Sequence, residues 1–360
     1  MTVYNFSAGP AVLPKPVMDQ IQRELPSLQG SGMSILEISH RSDRFQNILD
    51  TAKQDLKDLL QIPDNYEVLF CQGGGTGQFA AVPLNLANHH RKIALLDSGH
   101  WASGAADEAA DLGYTVDIVG NTKANKYQSL PYPDRELSSS EYDYLYTTLN
   151  NTIEGTTYHN QILPDHKDIT LVGDMSSNFM AERYNVSDFG LIFAGAQKNL
   201  APAGVTIVIV RKDLIHPAEH TPKILNYAPY VKKDSMFNTP PVFPIYVAGL
   251  VAKWLKDLGG IDEMERINQK KAAVLYDYLD ESKLFHNHVK PSERSLTNIT
   301  FSTGNEDLDA QFVDFATQNQ LVSVKGHRSV GGLRASLYNA MPIEGAKALV
   351  DCLHKFEQTH

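Results

Sequence analysis

Residues 189–206 read FGLIFAGAQKNLAPAGVT, and this stretch decides the fold. Its first half is a short apolar run, typical of a buried strand, that ends at Gln197 and Lys198. A second apolar run, 206–210, follows a loop of small residues. Most lysines lie in solvated surface, so a lysine set among Ala, Gly and Pro after a buried strand is unusual. The stretch predicts a strand that delivers Lys198 to the edge of a sheet; an ordinary surface lysine is the alternative.

Strand and helix patterns alternate through the first two thirds of the chain. Helical spacing of apolar residues spans 17–60, begins again at 78, and covers 102–112. Strands that alternate with helices imply a mostly parallel sheet covered on both faces. The predicted strands are 67–71, 92–96, 115–119, 142–147, 169–173, 191–194 and 206–210.

The length of 360 residues fits one large domain and one smaller domain. Beyond a helical stretch at 247–258, a helix at 262–279 and short strands at 296–301 and 321–324 indicate an α+β unit. We therefore predict a large domain at residues 16–258. The small domain combines residues 1–15, which are rich in Pro and Gly and favour an extended arm, with residues 259–360.

The composition excludes several classes of function. A formal net charge of −10 argues against nucleic acid as the main partner, because phosphate backbones require a basic surface. Two widely spaced cysteines, Cys71 and Cys352, make neither a disulfide framework nor a zinc site, so no metal site is expected. No secretory signal and no membrane span is visible, and we expect a cytoplasmic protein with reduced thiols.

Polar residues follow the ends of several predicted strands. Ligands of open α/β sheets bind beyond the carboxyl ends of the strands, so residues far apart in sequence would meet there. These residues are Thr76, Trp101, Thr152, Asp174 and Lys198.

The glycine cluster 73–75, followed by Thr76, lies between a strand and a helix. Free N–H groups and the helix dipole at such a turn favour phosphate. The cluster is neither a Walker A loop nor a Gly-x-Gly-x-x-Gly dinucleotide motif, so nucleotides are disfavoured. A tight turn without any ligand is the alternative.

Two ionisable residues suggest a cofactor with a reactive carbonyl and a basic ring nitrogen. Asp174, in the run VGDMSS at 172–177, is either a turn-forming residue or a carboxylate that pairs with a pyridinium nitrogen. Lys198, if desolvated, would have a lowered pKa and act as a nucleophile towards carbonyls.

Several motifs together resemble one family. The run around Lys198 is similar to the lysine signature of class V pyridoxal-phosphate-dependent aminotransferases. Four other motifs resemble the phosphoserine branch of that class, and with the first they span nearly the whole chain. The resemblance implies the aspartate-aminotransferase-like α/β fold, fold type I. The four motifs are NFSAGPA (5–11), EISHRS (37–42), QFAAVPLN (78–85) and GHRSVGGLRAS (326–336).

The resemblance also implies roles around pyridoxal 5′-phosphate. Lys198 forms the Schiff base with the cofactor and acts in catalysis with Asp174, which holds the pyridinium nitrogen. Trp101 stacks on the ring, and Thr152 hydrogen-bonds its hydroxyl. Contacts from a second subunit imply a homodimer with shared active sites. The residues assigned to the cofactor phosphate are Gly75, Thr76 and Gln197, with Asn238 and Thr239 from the neighbouring subunit.

Five potential cations suit an anionic substrate in this acidic protein, since Arg offers bidentate geometry to carboxylate and phosphate. By the resemblance, Arg334 binds the α-carboxylate. The substrate phosphate is surrounded by His40, Arg41, His327 and Arg328.

The resemblance implies transfer of an amino group between L-glutamate and 3-phosphohydroxypyruvate, which gives 2-oxoglutarate and O-phospho-L-serine by ping-pong half-reactions. That reaction belongs to serine biosynthesis, and a phosphorylated four-carbon keto acid of pyridoxine biosynthesis is a further candidate. Three alternatives stay open: a serine–glyoxylate-type aminotransferase, a cysteine desulfurase, and a non-catalytic module that binds a phosphate ligand.

Overall fold

The computed structural model describes residues 2–360, and Met1 lies outside the described residues. The strands are β1 (Tyr4–Asn5), β2 (Tyr66–Gln72), β3 (Lys92–Asp97), β4 (Thr115–Asn121), β5 (Tyr144–Thr148), β6 (Leu171–Asp174), β7 (Leu191–Gly195), β8 (Val205–Arg211), β9 (Asn298–Phe301), β10 (Leu321–Val322) and β11 (Leu333–Ser336). The α-helices are α1 (Lys15–Glu24), α2 (Asp43–Leu60), α3 (Thr76–Leu86), α4 (His100–Asp111), α5 (Tyr227–Lys232), α6 (Val242–Leu258), α7 (Gly260–Glu281), α8 (Glu306–Gln318) and α9 (Ile343–Glu357).

A seven-stranded sheet forms the centre of the fold, in the order β2-β8-β7-β6-β5-β3-β4. Neighbouring strands from β7 to β4 are parallel, whereas β8 is antiparallel to both β7 and β2. A parallel return needs a crossover of a dozen or more residues, and only residues 196–204 join β7 to β8. The reversal of β8 follows from that short loop. The predicted α/β class with a mostly parallel sheet is confirmed.

The two faces of the sheet pack into separate hydrophobic clusters. Along β8, Ile207 and Ile209 point into one cluster, and Val208 and Val210 into the other. This alternation is the period of two expected for a strand. Helix α2 packs against α6 over the first face, and α3 packs against α4 over the second. Both faces of the sheet are therefore covered, as the strand–helix alternation predicted.

The helical spacing read over residues 17–60 belongs to two helices, not to one continuous stretch. Helix α1 ends at Glu24, directly before Leu25 and Pro26, and α2 begins at Asp43 after its N-cap Ser42. Gly30 and Gly32 both have positive φ angles, which a helix cannot accommodate. No helix within residues 2–360 is long and apolar enough to cross a membrane.

A third hydrophobic cluster forms from the C-terminal part of the chain. It combines the second half of α7 with β9, β11, α8 and α9, and it includes Phe6 from the N-terminal arm. The first half of α7 packs on the large-sheet side through Ile261 and Met264. The placement of Phe6 agrees with the prediction that residues 1–15 belong with residues 259–360. The domain limits at residues 15 and 258 stay a prediction.

Candidate active site

A pocket opens at the carboxyl ends of the parallel strands, and the predicted cofactor residues meet there. Seven of the nine residues predicted to contact the cofactor line it. They come from the loops that follow β2, β3, β5, β6 and β7, so the topology brings together positions more than 120 residues apart. The lining consists of Gly75, Thr76, Phe79, Trp101, Thr148, Asn150, Thr152, Asp174, Ser176, Ser177, Gln197 and Lys198.

Lys198 extends from the loop after β7 into this pocket. Its Nζ donates a hydrogen bond to Thr152 Oγ1 at 3.1 Å. Desolvation lowers the pKa of Lys198 to about 8; the carboxylate of Asp174 opposes this shift, and the guanidinium of Arg334 adds to it. The amine is thus neutral in a large fraction of molecules near pH 8, which is the form that attacks a carbonyl.

Asp174 ends β6 and is only 6% exposed. Its Oδ1 accepts a hydrogen bond from the Ser176 N–H at 2.9 Å. Burial raises the pKa of Asp174, while hydrogen bonds from Ser176 and the charge of Lys198 act in the opposite direction. A buried carboxylate without a paired cation at hydrogen-bond distance is costly, and a cationic ring nitrogen placed against it would offset that cost.

The glycine turn between β2 and α3 forms the other wall of the pocket. Helix α3 begins at Thr76 and has Gly75 as its N-cap, with no side chain capping its first turn. A Cβ on Gly75 would lie 3.1 Å from Ser176 Oγ, and one on Gly195 would lie 2.8 Å from Gln197 Oε1. These glycines let the backbone approach closely and leave helix-terminal N–H groups open to an anion.

Thr152 connects the lysine to the predicted substrate arginine. Its hydroxyl accepts the bond from Lys198, and its carbonyl oxygen accepts one from Arg334 Nη1 at 3.1 Å. Arg334 lies on β11, and a network of buried hydrogen bonds fixes the region around that strand. In this network Asn298 Nδ2 donates to Ser336 Oγ at 3.0 Å and to Tyr338 Oη at 3.1 Å.

Trp101 lies in the first turn of α4, and a buried carboxylate holds this turn. Glu154 is 9% exposed, and its Oε1 accepts the His100 N–H at 2.8 Å. Burial raises the pKa of Glu154 to about 7, and the bond from His100 opposes this shift. A Cβ on Gly99, whose φ is 146°, would collide with that carboxyl group. Gly99 therefore lets Glu154 reach the backbone of the turn that carries Trp101.

His327 and Arg328 lie in the loop between β10 and β11. The Gly326 N–H donates to the Gly332 carbonyl at 2.9 Å and closes this loop. Burial lowers the pKa of His327, and the nearby His100, Arg334 and Arg328 lower it further. A group of potential cations, His100, His327, Arg328 and Arg334, thus lies next to the pocket, where Arg334 bonds to the lining residue Thr152.

The remaining predicted residues do not line this pocket within a single chain. Asn238 and Thr239 lie beside the end of β2: Asn238 Nδ2 donates to Gln72 Oε1 at 3.3 Å, and the Thr239 carbonyl accepts from Gln72 Nε2 at 2.6 Å. His40 and Arg41 precede α2. Over residues 2–360, no hydrogen bond or ion pair joins these two cations to Arg334 or Lys198.

The sequence interpretation missed several residues of the site. Ser176 and Ser177 follow Asp174 by two and three residues, so their position in the VGDMSS run was the available signal. Asn150 lines the pocket and donates to Ser177 Oγ at 2.6 Å, but a buried Asn has no pattern of its own. The same holds for Glu154 and His100, which lie close to Thr152 and Trp101 in sequence.

The sequence matches a known family model over nearly its full length. The model for class-V aminotransferases matches residues 3–349. The chain belongs to the class-V aminotransferase family. The recognition made from the sequence, the fold and the class of enzyme are confirmed, and with them the dependence on pyridoxal phosphate.

Individual relatives of this aminotransferase cover its whole length. It is 66% identical over 360 residues to the phosphoserine aminotransferase of Lactobacillus helveticus, covering 100% of this chain and 96% of the relative. It is 50% identical over 356 residues to that of Bacillus cereus, covering 99% and 98%. A solved phosphoserine aminotransferase from Bacillus circulans subsp. alkalophilus superposes with a TM-score of 0.95 at 41% identity, covering 99% of each chain.

The pocket of this aminotransferase fits pyridoxal phosphate. Its open helix N-terminus suits the phosphate, Asp174 suits the ring nitrogen, and Lys198 suits the carbonyl. Two buried atoms at the pocket, Trp101 Nε1 and Gln197 Oε1, have no hydrogen-bond partner in the described chain. The individual contacts of each side chain with the cofactor stay predictions.

Proposed function

We propose that this aminotransferase converts L-glutamate and 3-phosphohydroxypyruvate into 2-oxoglutarate and O-phospho-L-serine. The main support is that the pocket of Lys198 and Asp174 adjoins a group of potential cations, although the chain has a net charge of −10. Arg334 of this group bonds to the pocket residue Thr152, and His327 lies within electrostatic reach of Arg334 and Arg328. A doubly anionic substrate needs such a local positive field. The phosphoserine aminotransferases similar to this chain over its full length support the same activity.

Pyridoxal phosphate supplies, when bound, an electron-withdrawing ring that holds the electron pair left after loss of the substrate α-proton. Asp174 contributes a buried carboxylate that keeps the ring nitrogen protonated. Its hydrogen bond from the Ser176 N–H fixes the direction in which it presents its second oxygen.

Lys198 would hold the cofactor through its Nζ and would then transfer the substrate α-proton. Its lowered pKa lets the same Nζ remove the substrate α-proton as a base and return a proton as an acid near neutral pH. Thr152 orients the Nζ through its hydroxyl. A solved phosphoserine aminotransferase that is 42% identical to this chain, with a TM-score of 0.96, contains a Schiff base, which supports this role.

Arg334 and the loop at 326–332 would bind different groups of the substrate. Arg334 is fixed by its bond to the Thr152 carbonyl, next to Lys198, and would bind the α-carboxylate that all substrates share. His327 and Arg328 lie farther out in the loop and would bind the substrate phosphate or the side-chain carboxylate of glutamate.

The proposal includes a homodimer with shared sites. Asn238 and Thr239 are exposed beside the glycine turn, and His40 and Arg41 make no contact with the pocket of their own chain. Placing these four residues at the site of a second copy would give each a partner, namely the cofactor phosphate or the substrate phosphate. Sedimentation of the purified protein tests the oligomeric state.

The cysteines argue against the desulfurase alternative. Both are free and buried, and desolvation raises the pKa of Cys71 to about 12 and that of Cys352 to about 11. A desulfurase needs an accessible thiolate. Two free cysteines also suit the reducing cytoplasm in which we place the protein. A module that only binds phosphate would leave the placement of Lys198 and Asp174 in one pocket without a purpose.

A steady-state assay with two amino acceptors tests the proposed activity. We expect 3-phosphohydroxypyruvate to give a much higher kcat/KM than hydroxypyruvate, with L-glutamate as donor. Equal values would point to a serine–glyoxylate-type aminotransferase. The phosphorylated four-carbon keto acid can be compared in the same assay.

A further inference from the structure

The side chain of His100 lies beside the loop at 326–332, next to the pocket. Its ring centroid lies 5.5 Å from that of His327, with the two planes tilted by 44°. On its other side it meets Trp101 edge-on at 5.0 Å. His100 therefore contacts both the aromatic ring predicted to cover the cofactor and the loop predicted to bind the substrate phosphate.

The backbone of His100 is fixed, whereas its imidazole is open to solvent. The His100 N–H donates to the buried carboxyl of Glu154 at 2.8 Å, and Gly99 makes room for this contact. Over residues 2–360, the imidazole makes no hydrogen bond and no ion pair, and the residue is exposed. Because the backbone is held in place and the imidazole has no partner, the ring is positioned to bind a ligand.

The charges around His100 favour an anion as that ligand. His100, Arg328 and Arg334 are all close enough to His327 to lower its pKa, and none of the four forms an ion pair within the described chain. The carboxyl group of Glu154 is buried and already accepts the His100 backbone N–H. The surroundings of the His100 ring are therefore rich in potential cations, and an anion is the ligand that they favour.

We propose that His100 is a specificity-determining residue that donates a hydrogen bond to the phosphate of the substrate from the face opposite His327. This inference rests on the proposed function and adds one donor to it. The imidazole would bridge the phosphate between α4 and the loop at 326–332, so it would discriminate phosphorylated from unphosphorylated acceptors. Hydrogen bonds to charged groups discriminate in this way because their loss leaves the anion less well paired.

The test compares three variants of the cofactor-loaded enzyme. His100→Phe keeps the aromatic contact with Trp101 and removes the donor, and His100→Asn keeps a donor but no cationic form. The matched control is His89→Asn, because His89 is also exposed and also lies beside a second histidine, His90, at 4.4 Å. His89 precedes β3, whereas His100 follows β3, so the control residue lies at the opposite end of this strand, away from the pocket.

The measured quantity is the ratio of kcat/KM for 3-phosphohydroxypyruvate to that for hydroxypyruvate, together with the inhibition constant of inorganic phosphate. We expect His100→Phe to lower the ratio about tenfold and to raise the inhibition constant by a similar factor. His100→Asn should lie between His100→Phe and the parent, and His89→Asn should match the parent.

Two results would overturn the inference and leave the proposed function standing. In the first, His100→Phe keeps the ratio of the parent. In the second, His100→Phe slows both acceptors equally, which would mean that His100 acts only through Trp101. A parent enzyme that shows no preference for the phosphorylated acceptor would instead contradict the proposed function itself, so the two failures are distinguishable.

Discussion

Two lysines with lowered pKa values lie in different parts of this molecule, Lys198 at the pocket and Lys271 in α7. Desolvation lowers the pKa of Lys198 to about 8 and that of Lys271 to about 7. Lys271 is 0% exposed, and its Nζ donates to the carbonyl oxygens of Tyr338 at 2.7 Å and Met341 at 3.1 Å. Lys198 keeps an open side towards the pocket and has one hydroxyl partner.

A lowered pKa alone therefore does not identify a catalytic lysine. Both amines can be neutral near pH 8, but only Lys198 can reach a ligand. Lys198 also lies within electrostatic reach of Asp174 and Arg334, whereas desolvation alone accounts for the shift at Lys271. Access and the surrounding charges separate a nucleophile from a buried structural amine, which holds together α7 and the segment after β11.

The largest expected effect is on activity after replacement of Lys198. Lys198→Ala removes both the amine of the Schiff base and the general base, and we expect transamination to fall by at least about 10³-fold. Lys271→Met is the matched comparison and should stay within a few-fold of the parent, measured at a temperature where both are folded. Substantial activity in Lys198→Ala would contradict the assignment.

A smaller effect should separate the two arginines near Lys198. Arg334→Ala removes the predicted partner of the α-carboxylate, so single-turnover rates with L-glutamate and with 3-phosphohydroxypyruvate should fall together. Arg328→Ala should weaken the phosphorylated acceptor about 10- to 150-fold, since a hydrogen bond to a charged group contributes about 1.5–3 kcal/mol. Its effect on L-glutamate should be smaller. If Arg328→Ala slowed both substrates equally and Arg334→Ala slowed only one, Arg328 would be the residue that binds the α-carboxylate and Arg334 the one that binds the phosphate.

Lys271 should matter for stability, and its effect should depend on pH. The unfolded lysine has an ordinary pKa near 10.4, about three units above the folded value. Between pH 7 and pH 10 the unfolded chain binds the extra proton, so this group makes the fold more stable as the pH rises. Lys271→Met lacks this pH-dependent contribution to stability, and it leaves two carbonyl oxygens without a donor. We expect it to lose about 1–3 kcal/mol in free energy of unfolding at pH 9, and less at pH 7.

The neighbour Lys270 provides the control for that measurement. It is exposed, so Lys270→Met should change the free energy of unfolding by less than about 0.5 kcal/mol at either pH. Denaturant titrations at pH 7 and pH 9 give all the values. A loss in Lys271→Met that is equal at the two pH values would show that Lys271 is charged in the folded chain.

The contrast between the two lysines also shows what the sequence could reveal. Lys198 stands in a run of small residues after an apolar strand, so its exceptional setting was visible. Lys271 stands beside Lys270 in a helix with mixed polarity. Only its phase with Leu275, one turn later on the buried face, marks it as internal.

The strands and the pocket were predictable for a similar reason. Apolar runs and the rule for strand ends located Asp174 and Thr152, because both depend on local pattern and on parallel topology. The bonds from Thr152 to Arg334 and from His100 to Glu154 depend on how distant loops pack. The break between α1 and α2 was missed because the apolar spacing on both sides of Gly30 and Gly32 fits one helix.

The smallest expected effect concerns the cysteines, which are buried like Lys271 and likewise lack access to the pocket. The double variant with Cys71→Ala and Cys352→Ala should keep the transamination rate within a few-fold of the parent. Its stability should fall, since both thiols lie in hydrophobic clusters. A variant that is folded and still binds the cofactor, yet has no transamination activity, would favour the hypothesis of a cysteine desulfurase.

Reduction of the cofactor-loaded enzyme with borohydride, followed by peptide mapping, tests the role of Lys198. Reduction fixes the cofactor to whichever lysine forms the Schiff base. We expect label on the peptide that contains Lys198 and none on the peptide that contains Lys271. Label on Lys271, or on any lysine other than Lys198, would contradict this role.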